Sequence, residues 1–287
     1  MKLGPHIDRI YSDKKNATFK DHIEAAQKYI KHVANVEFNT ISMFVAGPKT
    51  YNILLSDKDI EDIKKLNLNI YVHNTYISHP WPSNKLSDKT KAYHSIIKQL
   101  EICDKINAKG FIIHLPKNTI DVIIDTLITL FNPDITTKIY LEIPALKSNN
   151  SIFHIPKYLN ELFDRIKTEL DPNLIYFGLC IDTAHLWSCG VDISDYKSAD
   201  LWLNELNIDP KSILIHFNDN DKELGHAPDI HNSLTDGKIW NKYKDDLQNS
   251  GLMAFFTYAK NNDIPIILER HTMTLLINDY IIIQQLI

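Results

Sequence analysis

Along this chain, short apolar runs recur, each closed by a polar residue and followed by a longer amphipathic stretch. The runs occupy residues 41–46, 69–72, 110–113, 138–141, 176–181, 212–215 and 265–268, with a weaker one at 3–7. Short runs rich in β-branched and aromatic residues read as strands buried on both faces. Between them, "SDKDIEDIKKLN" offers a Ser/Asp cap and apolar residues at helical spacing, and "TKAYHSIIKQLEICDKIN" and "IPKYLNELFDRIKTEL" repeat Ile and Leu at three and four. Strand alternating with helix seven or eight times predicts an α/β fold, the parallel (β/α)8 TIM barrel. No low-complexity linker or break in composition divides the chain, so residues 1–287 are expected to form a single domain. The apolar tail "YIIIQQLI" is expected to dock as a closing helix. The segment 218–240 shows no clear periodicity, and a loop that long usually has a function.

The residue closing each run changes the picture. "NIYVH" ends in His73, "GFIIH" in His114, "KIYLE" in Glu142, "GLCID" in Asp182, "ILIH" in His216 and "PIILE" in Glu269. His, Asp and Glu together fill about one position in six, so six hits in six strands, with two positions of slack each, arise by chance on the order of once in a thousand. Taken singly, each is more often a hydrogen-bonded strand terminus than a ligand. A parallel barrel, however, brings the C-terminal ends of its strands to one mouth, where active sites are built. Three carboxylates and three imidazoles crowded there would repel and desolvate one another unless cations were present.

Three further residues join them: His185, three past Asp182, and the D-x-H pair Asp229 and His231 inside the unexplained loop. Nine nitrogen and oxygen donors are too many for one ion and suit three, with Glu142 or Asp182 shared as a bridge. The absence of cysteine among them favours zinc, with manganese an option at one site, in a catalytic role. Clustered divalent ions are the machinery of in-line phosphoryl displacement.

Composition adjusts this only slightly. The N-terminus carries no apolar signal region, and no run is long enough to span a membrane. Cys103, Cys180 and Cys189 are odd in number and lack CxxC spacing, which fits a reducing intracellular compartment (cytoplasm or nucleus, or a virion) rather than a disulfide scaffold. A net charge of −5 argues on its face against a nucleic-acid partner. Three divalent ions would turn −5 into +1, so much of the acidic excess is a count of ligands.

The segments "GLCIDTAH" (178–185), "HNTY" (73–76), "IHFND" (215–219) with "DIH" (229–231), and "ILE" (267–269) resemble endonuclease IV, the family 2 apurinic/apyrimidinic (AP) endonucleases. Order and approximate spacing agree from about Ile41 to Glu269. "GLCIDTAH" is highly specific, whereas "HNTY" and "ILE" alone are weak. "FVAGP" and "IDTAHLWSCGV" look most like the viral branch of that family.

The resemblance implies a trinuclear zinc enzyme of DNA repair, a monomer that cleaves double-stranded DNA 5′ to an abasic site. It leaves a 3′-hydroxyl and a 5′-deoxyribose phosphate, with trimming of blocked 3′ ends as a further activity. By matching position, His73, His114 and Glu142 would hold the first zinc. Glu142 would bridge to the second, completed by Asp182, His216 and Glu269, and His185, Asp229 and His231 would hold the third. Glu269 would orient or deprotonate the attacking nucleophile. Tyr76 and Ile77 match the loop that enters the minor groove, Lys49 stands where an arginine usually wedges into the duplex, and Arg270, with Lys117, Lys147 and Lys222, is expected to meet phosphates.

Departures fall outside the ligands. Ile230 replaces a basic residue between Asp229 and His231, Asn220 and Asp221 replace a small residue and a lysine, Pro116 stands where a glycine is expected, and His226 follows Gly225 in place of a small residue. The competing reading is a sugar isomerase or epimerase on the same barrel, which needs about four ligands and leaves Asp229 and His231 unexplained. A third, a DNA-binding relic without turnover, conflicts with the full ligand set. His6, His22, His32, His79, His94 and His154 lack strand-end placement and are read as surface or packing residues.

Overall fold

The computed structural model describes residues 2–7, 12–81, 90–117, 119–130, 135–145 and 151–287; Lys147 lies outside these. Its strands are β1 (Leu3–Ile7), β2 (Thr40–Met43), β3 (Asn69–His73), β4 (Gly110–His114), β5 (Ile139–Glu142), β6 (Phe177–Asp182), β7 (Ile213–His216), β8 (Asp219–Asn220), β9 (His231–Asn232) and β10 (Ile266–Leu268). Its α-helices are α1 (Phe19–Ala34), α2 (Asp57–Lys64), α3 (Lys91–Lys105), α4 (Ile120–Leu130), α5 (Pro156–Glu169), α6 (Thr183–Ser188), α7 (Tyr196–Asn204), α8 (Gly251–Asn261) and α9 (Met273–Leu286). Eight parallel strands close in the order β1-β10-β7-β6-β5-β4-β3-β2, while β8 and β9 form a separate antiparallel ribbon. The fold is a TIM barrel.

Local chemistry explains where the helices start. Ser56 accepts from the Asp59 backbone N–H while Asp59 accepts from the Ser56 N–H, a reciprocal cap, and Thr18 and Asp21 do the same for α1. The run expected to extend from 41 to 46 leaves the barrel after Met43, because Ala46 bridges antiparallel to Ile53 around the Gly47 turn. The tail docks as foreseen: α9 buries Leu276, Tyr280 and Ile283, and the Gln284 side chain donates to the Ala34 carbonyl at the end of α1. Burying each such apolar side chain is worth about 1.5–3 kcal/mol. No described helix is long and apolar enough to cross a membrane.

Inside the barrel the side chains are arranged in layers. Tyr71, Ile112, Tyr140, Cys180, Leu214 and Ile267 form one buried cluster separate from the outer core. Each lies two residues before one of the six strand-end groups, so strand alternation points both sets inward, one layer above the other. Two glycines make room for this floor. A Cβ at Gly110 would sit 2.5 Å from the Tyr140 ring, and one at Gly178 would sit 2.8 Å from it.

Candidate metal centre

The strand register brings the strand-end groups together. His114 lies beside Glu142 on the β4–β5 ladder, and Asp182 lies beside His216 on β6–β7. Glu142 is the hub. Its Oε2 is 3.2 Å from His73 Nε2 and 3.0 Å from His114 Nε2, while its Oε1 is 3.0 Å from His216 Nδ1. Asp182 Oδ2 is 3.8 Å from His216 Nδ1, 3.9 Å from His185 Nε2 and 3.6 Å from His231 Nε2. Asp229 Oδ2 meets His185 Nε2 at 3.4 Å and His231 Nε2 at 2.8 Å. Glu269 Oε2 lies 3.5 Å from His216 Nδ1 and 3.4 Å from His231 Nδ1. All nine residues singled out in the sequence therefore meet at one mouth.

The "IDTAH" segment shows how sequence sets this geometry. Asp182 ends β6 and caps α6, its Oδ1 accepting from the His185 N–H at 3.0 Å, which leaves Oδ2 facing the imidazoles. Thr183 locks β6 to the end of β7 by donating to the Asn218 carbonyl and accepting from its N–H. Asp229 and His231 come from the long segment, which is ordered around Asp219. That buried carboxylate accepts from the N–H groups of Asn220, Ile239 and Thr235. Gly237 lies against it, where a Cβ would come within 2.4 Å of Asp219 Oδ1. The β8–β9 pairing puts His231 opposite Asn220, and the Asn220 amide donates to Asp229 Oδ1 at 2.8 Å.

These residues fit bound cations. His73 Nδ1 donates to the Asn74 carbonyl at 2.8 Å and His185 Nδ1 to the Ile143 carbonyl at 2.7 Å. A carbonyl only accepts, so in the neutral ring Nε2 is a bare lone pair. In His73 that lone pair faces a Glu142 oxygen, and in His185 an Asp229 oxygen. Acceptor facing acceptor requires a proton or a metal ion between them, and fixing the ring through its other nitrogen is how histidine ligands are oriented. The donor atoms fall into mutually close groups, including His73–His114–Glu142, Asp182–His216–Glu269 and Asp182–His185–His231.

The same crowding governs charge in the metal-free protein. Burial opposes the negative form of Glu142, yet His114 and His216 hold its carboxyl well below the usual range. Burial likewise opposes ionisation of Asp229, and His231 and His185 outweigh it. Asp182 is pushed up by burial, which His185 and His231 only partly offset. The His185 imidazole is raised well above its ordinary value, because Asp182 and Asp229 overcome the burial that disfavours its charge.

Above the cluster opens a cleft of ≈ 930 Å³ whose rim includes Lys49, Tyr76, His79, Trp81, Lys117 and Pro228. Tyr76 is 47% exposed and packs edge-on against Phe44 and His73. Its loop is tied to the Lys49 loop, since the Tyr76 N–H and the Thr75 hydroxyl both donate to the Pro48 carbonyl. Ile77 is half-buried behind it, its carbonyl accepting from Tyr51. Lys49 and Lys117 are exposed, and Lys222 is half-buried.

Two expectations are corrected. Arg270, expected to contact phosphates, is 3% exposed and turned into the barrel wall, where Nε pairs with Asp279 Oδ2 at 2.5 Å. Its other nitrogens donate to Asn218 Oδ1 and to the Phe217 and Glu269 carbonyls, leaving it no route to a ligand in the cleft. His6, set aside as surface or packing, is buried and lies 3.9 Å from Glu269 Oε1 and 3.2 Å from the Ser42 hydroxyl. The β1–β10 register pairs Gly4 with Ile267, which sets His6 level with Glu269. The signal was present in the sequence: His6 follows the inward Gly4 by two, as each strand-end group follows its floor residue. Asn218 also went unread, although its amide donates to Asp182 Oδ2 at 2.7 Å and Glu269 Oε2 at 3.2 Å. Trp81 also lines the cleft and donates its indole N–H to the His114 carbonyl.

A parallel barrel whose mouth gathers imidazoles and carboxylates at ligand spacing defines a class, the barrel enzymes built to hold divalent cations. Within it, the chain belongs to the AP endonuclease 2 family, described as the xylose isomerase-like TIM barrels, which it matches over residues 30–269. It is 35% identical over 243 residues to the "Probable AP endonuclease" of African swine fever virus (isolate Pig/Kenya/KEN-50/1950), covering 82% of this chain and 79% of that protein. Its structure superposes on the crystal structure of AsfvAP:AG with a TM-score of 0.91 at 30% identity, over 99% of this chain and 98% of that one. Endonuclease IV from Thermus thermophilus shares the fold, with a TM-score of 0.67 at 18% identity over 95% and 93%. The chain is thus a hydrolase of the AP endonuclease type.

Proposed function

We propose that this protein repairs DNA by hydrolysing the phosphodiester 5′ to an abasic site, leaving a 3′-hydroxyl and a 5′-deoxyribose phosphate. The observation that carries the reading is the meeting of nine donors at one mouth, eight of them in overlapping groups of mutually close atoms and Asp229 beside His185 and His231, with Glu142 and Asp182 each turned toward imidazoles of more than one group. In this reading the first group is His73, His114 and Glu142, and the second is Glu142, Asp182, His216 and Glu269. The third is His185, Asp229 and His231. Zinc ions held there supply positive charge to the phosphate oxygens and acidify water near neutral pH.

The chain's own residues do the rest. Glu142 spans the first two groups with separate oxygens and neutralises charge on both. Glu269 Oε2, held by the Asn218 amide, orients the attacking water and takes its proton. Asp229 and His231, carried on the ribbon, complete the side of the mouth where the departing O3′ gathers charge. Tyr76 and Ile77 fill space in the minor groove beside the flipped abasic nucleotide, and Lys49 meets the backbone. The whole chain acts as one domain and as a monomer in a reducing intracellular compartment. A sugar isomerase would have no use for the Asp229–His231 pair.

Incubation with a duplex carrying one tetrahydrofuran abasic analogue tests this. The wild-type chain is expected to nick 5′ to the analogue, and Glu269→Gln to lower the rate by about 10²–10⁴-fold while retaining binding, as expected for removal of a general base. Sugar turnover without nicking, or close to one zinc per chain, would overturn the reading.

A further inference from the structure

We propose that Arg270 is a positioning residue that fixes Asn218, and through it Asp182 and Glu269, and that helix α9 supplies its counter-charge through Asp279. The inference deepens the metal-centre reading above and rests on it.

A side-chain amide can sit either way round, and its partners decide which. Here Asn218 Oδ1 accepts from Arg270 Nη1 at 2.7 Å and from the Glu269 N–H at 3.2 Å. Both partners are donors, so the oxygen must face them and the NH2 must face the cleft. There it spans the two carboxylates, Asp182 Oδ2 at 2.7 Å and Glu269 Oε2 at 3.2 Å. Without Arg270 the amide loses its strongest reason to keep this orientation, and the flipped form would aim an oxygen at two carboxylates. Arg270 also spans both strand ends, donating to the Phe217 carbonyl after β7 and the Glu269 carbonyl after β10. That fork holds the His216 and Glu269 strand ends in register, and a lysine would provide the charge without the span.

A guanidinium buried this deeply needs a neutralising partner. Asp279, fully buried on α9, supplies it with Oδ2, while its Oδ1 accepts from the Leu234 N–H just past β9. The Ser233 hydroxyl donates to the Leu275 carbonyl of the same helix. One carboxylate on the last helix thus ties together the strand end carrying Glu269 and the ribbon carrying His231.

The test uses full-length protein and three readouts: thermal melting, kcat and KM on the tetrahydrofuran duplex, and zinc affinity by competition with a fluorescent chelator. Arg270→Met alone is expected to destabilise the fold by stranding Asp279. Arg270→Met with Asp279→Leu replaces the pair by apolar groups and is expected to recover most of the melting temperature. Its kcat should stay about 10–100-fold low with KM little changed, and its weakest zinc about 10–100-fold looser. Arg270→Lys should melt near the wild type yet share the kcat defect, and Asn218→Leu, which leaves the buried pair intact, should reproduce it. Adding Asn218→Leu to the double variant should cost little more, since both act through one amide. A folded double variant within twofold of wild type in kcat and zinc affinity overturns the proposal. So does Asn218→Leu with unchanged zinc affinity, which decides the matter if the double variant fails to fold. If the wild type itself does not nick, the nuclease reading falls, and the zinc arm still judges the positioning role.

Discussion

The barrel interior carries two layers of side chains on the same six strands. The floor, Tyr71, Ile112, Tyr140, Cys180, Leu214 and Ile267, is a buried, largely apolar cluster. Two residues further along each strand stand His73, Glu142, Asp182 and His216, polar and as deeply buried, and His114 and Glu269, whose side chains are 35% and 18% exposed toward the cleft. Both layers obey the same alternation, so geometry does not distinguish them. The difference is that the floor satisfies itself by packing, whereas the upper layer faces lone pair against lone pair and needs protons or metal ions to complete it. The floor intensifies that need, because it denies the carboxylates water from below.

Four changes would break or sharpen the contrast. The largest stability effect is expected from Tyr140→Ala, which empties the space Gly110 and Gly178 leave for its ring. It should cost about 3–5 kcal/mol in denaturant melts while the folded fraction keeps its ligands. A loss below about 1 kcal/mol would mean that the floor is not close-packed. Next, His6→Ala should lower kcat about tenfold through loosened support of Glu269, with little change in melting temperature. An unchanged rate would return His6 to a packing role.

The third concerns pH. In the metal-free protein, burial disfavours charge on His185 and His216, but the carboxylates Asp182 and Asp229 around the first, and Glu269 and Glu142 around the second, raise both imidazoles well above the ordinary value. Raised imidazoles contribute stability that is full below pH ~6.5 and lost as pH rises through their folded values. The lowered Glu142 and Asp229 contribute above pH ~4.5 and lose their contribution as pH falls. The metal-free protein should therefore weaken above pH ~6.5, whereas zinc binding requires unprotonated rings and gains with pH. The melting-temperature gain on adding zinc should grow between pH ~5.5 and ~8, and a constant gain would contradict the ligand assignment. The smallest change is Cys180→Ala, which removes one thiol from the floor and should cost less than about 1.5 kcal/mol with activity retained.

How far the site could be read in advance varied with what held each residue. The six strand ends stood out because each closes an apolar run, and a parallel barrel gathers such ends whatever the loops do. Asp229 and His231 showed as a D-x-H pair, yet the ribbon that carries them did not, because it is organised by one buried carboxylate, Asp219, meeting N–H groups up to twenty residues away. His6 was missed because its strand is the weakest run, and Asn218 because an amide carries no charge to draw notice.

By itself the sequence determined the barrel, through its alternating runs, and the layer of imidazoles and carboxylates at its mouth, through the residue that ends each run, because both follow from local periodicity. Only the tertiary structure decided the fate of Arg270. Next to Glu269 in the chain, it looked like a phosphate contact, but its direction is set by Asp279 on the last helix and by carbonyls on two strand ends. Where a charged side chain turns depends on which partners folding brings within reach, and those partners lie far away in sequence.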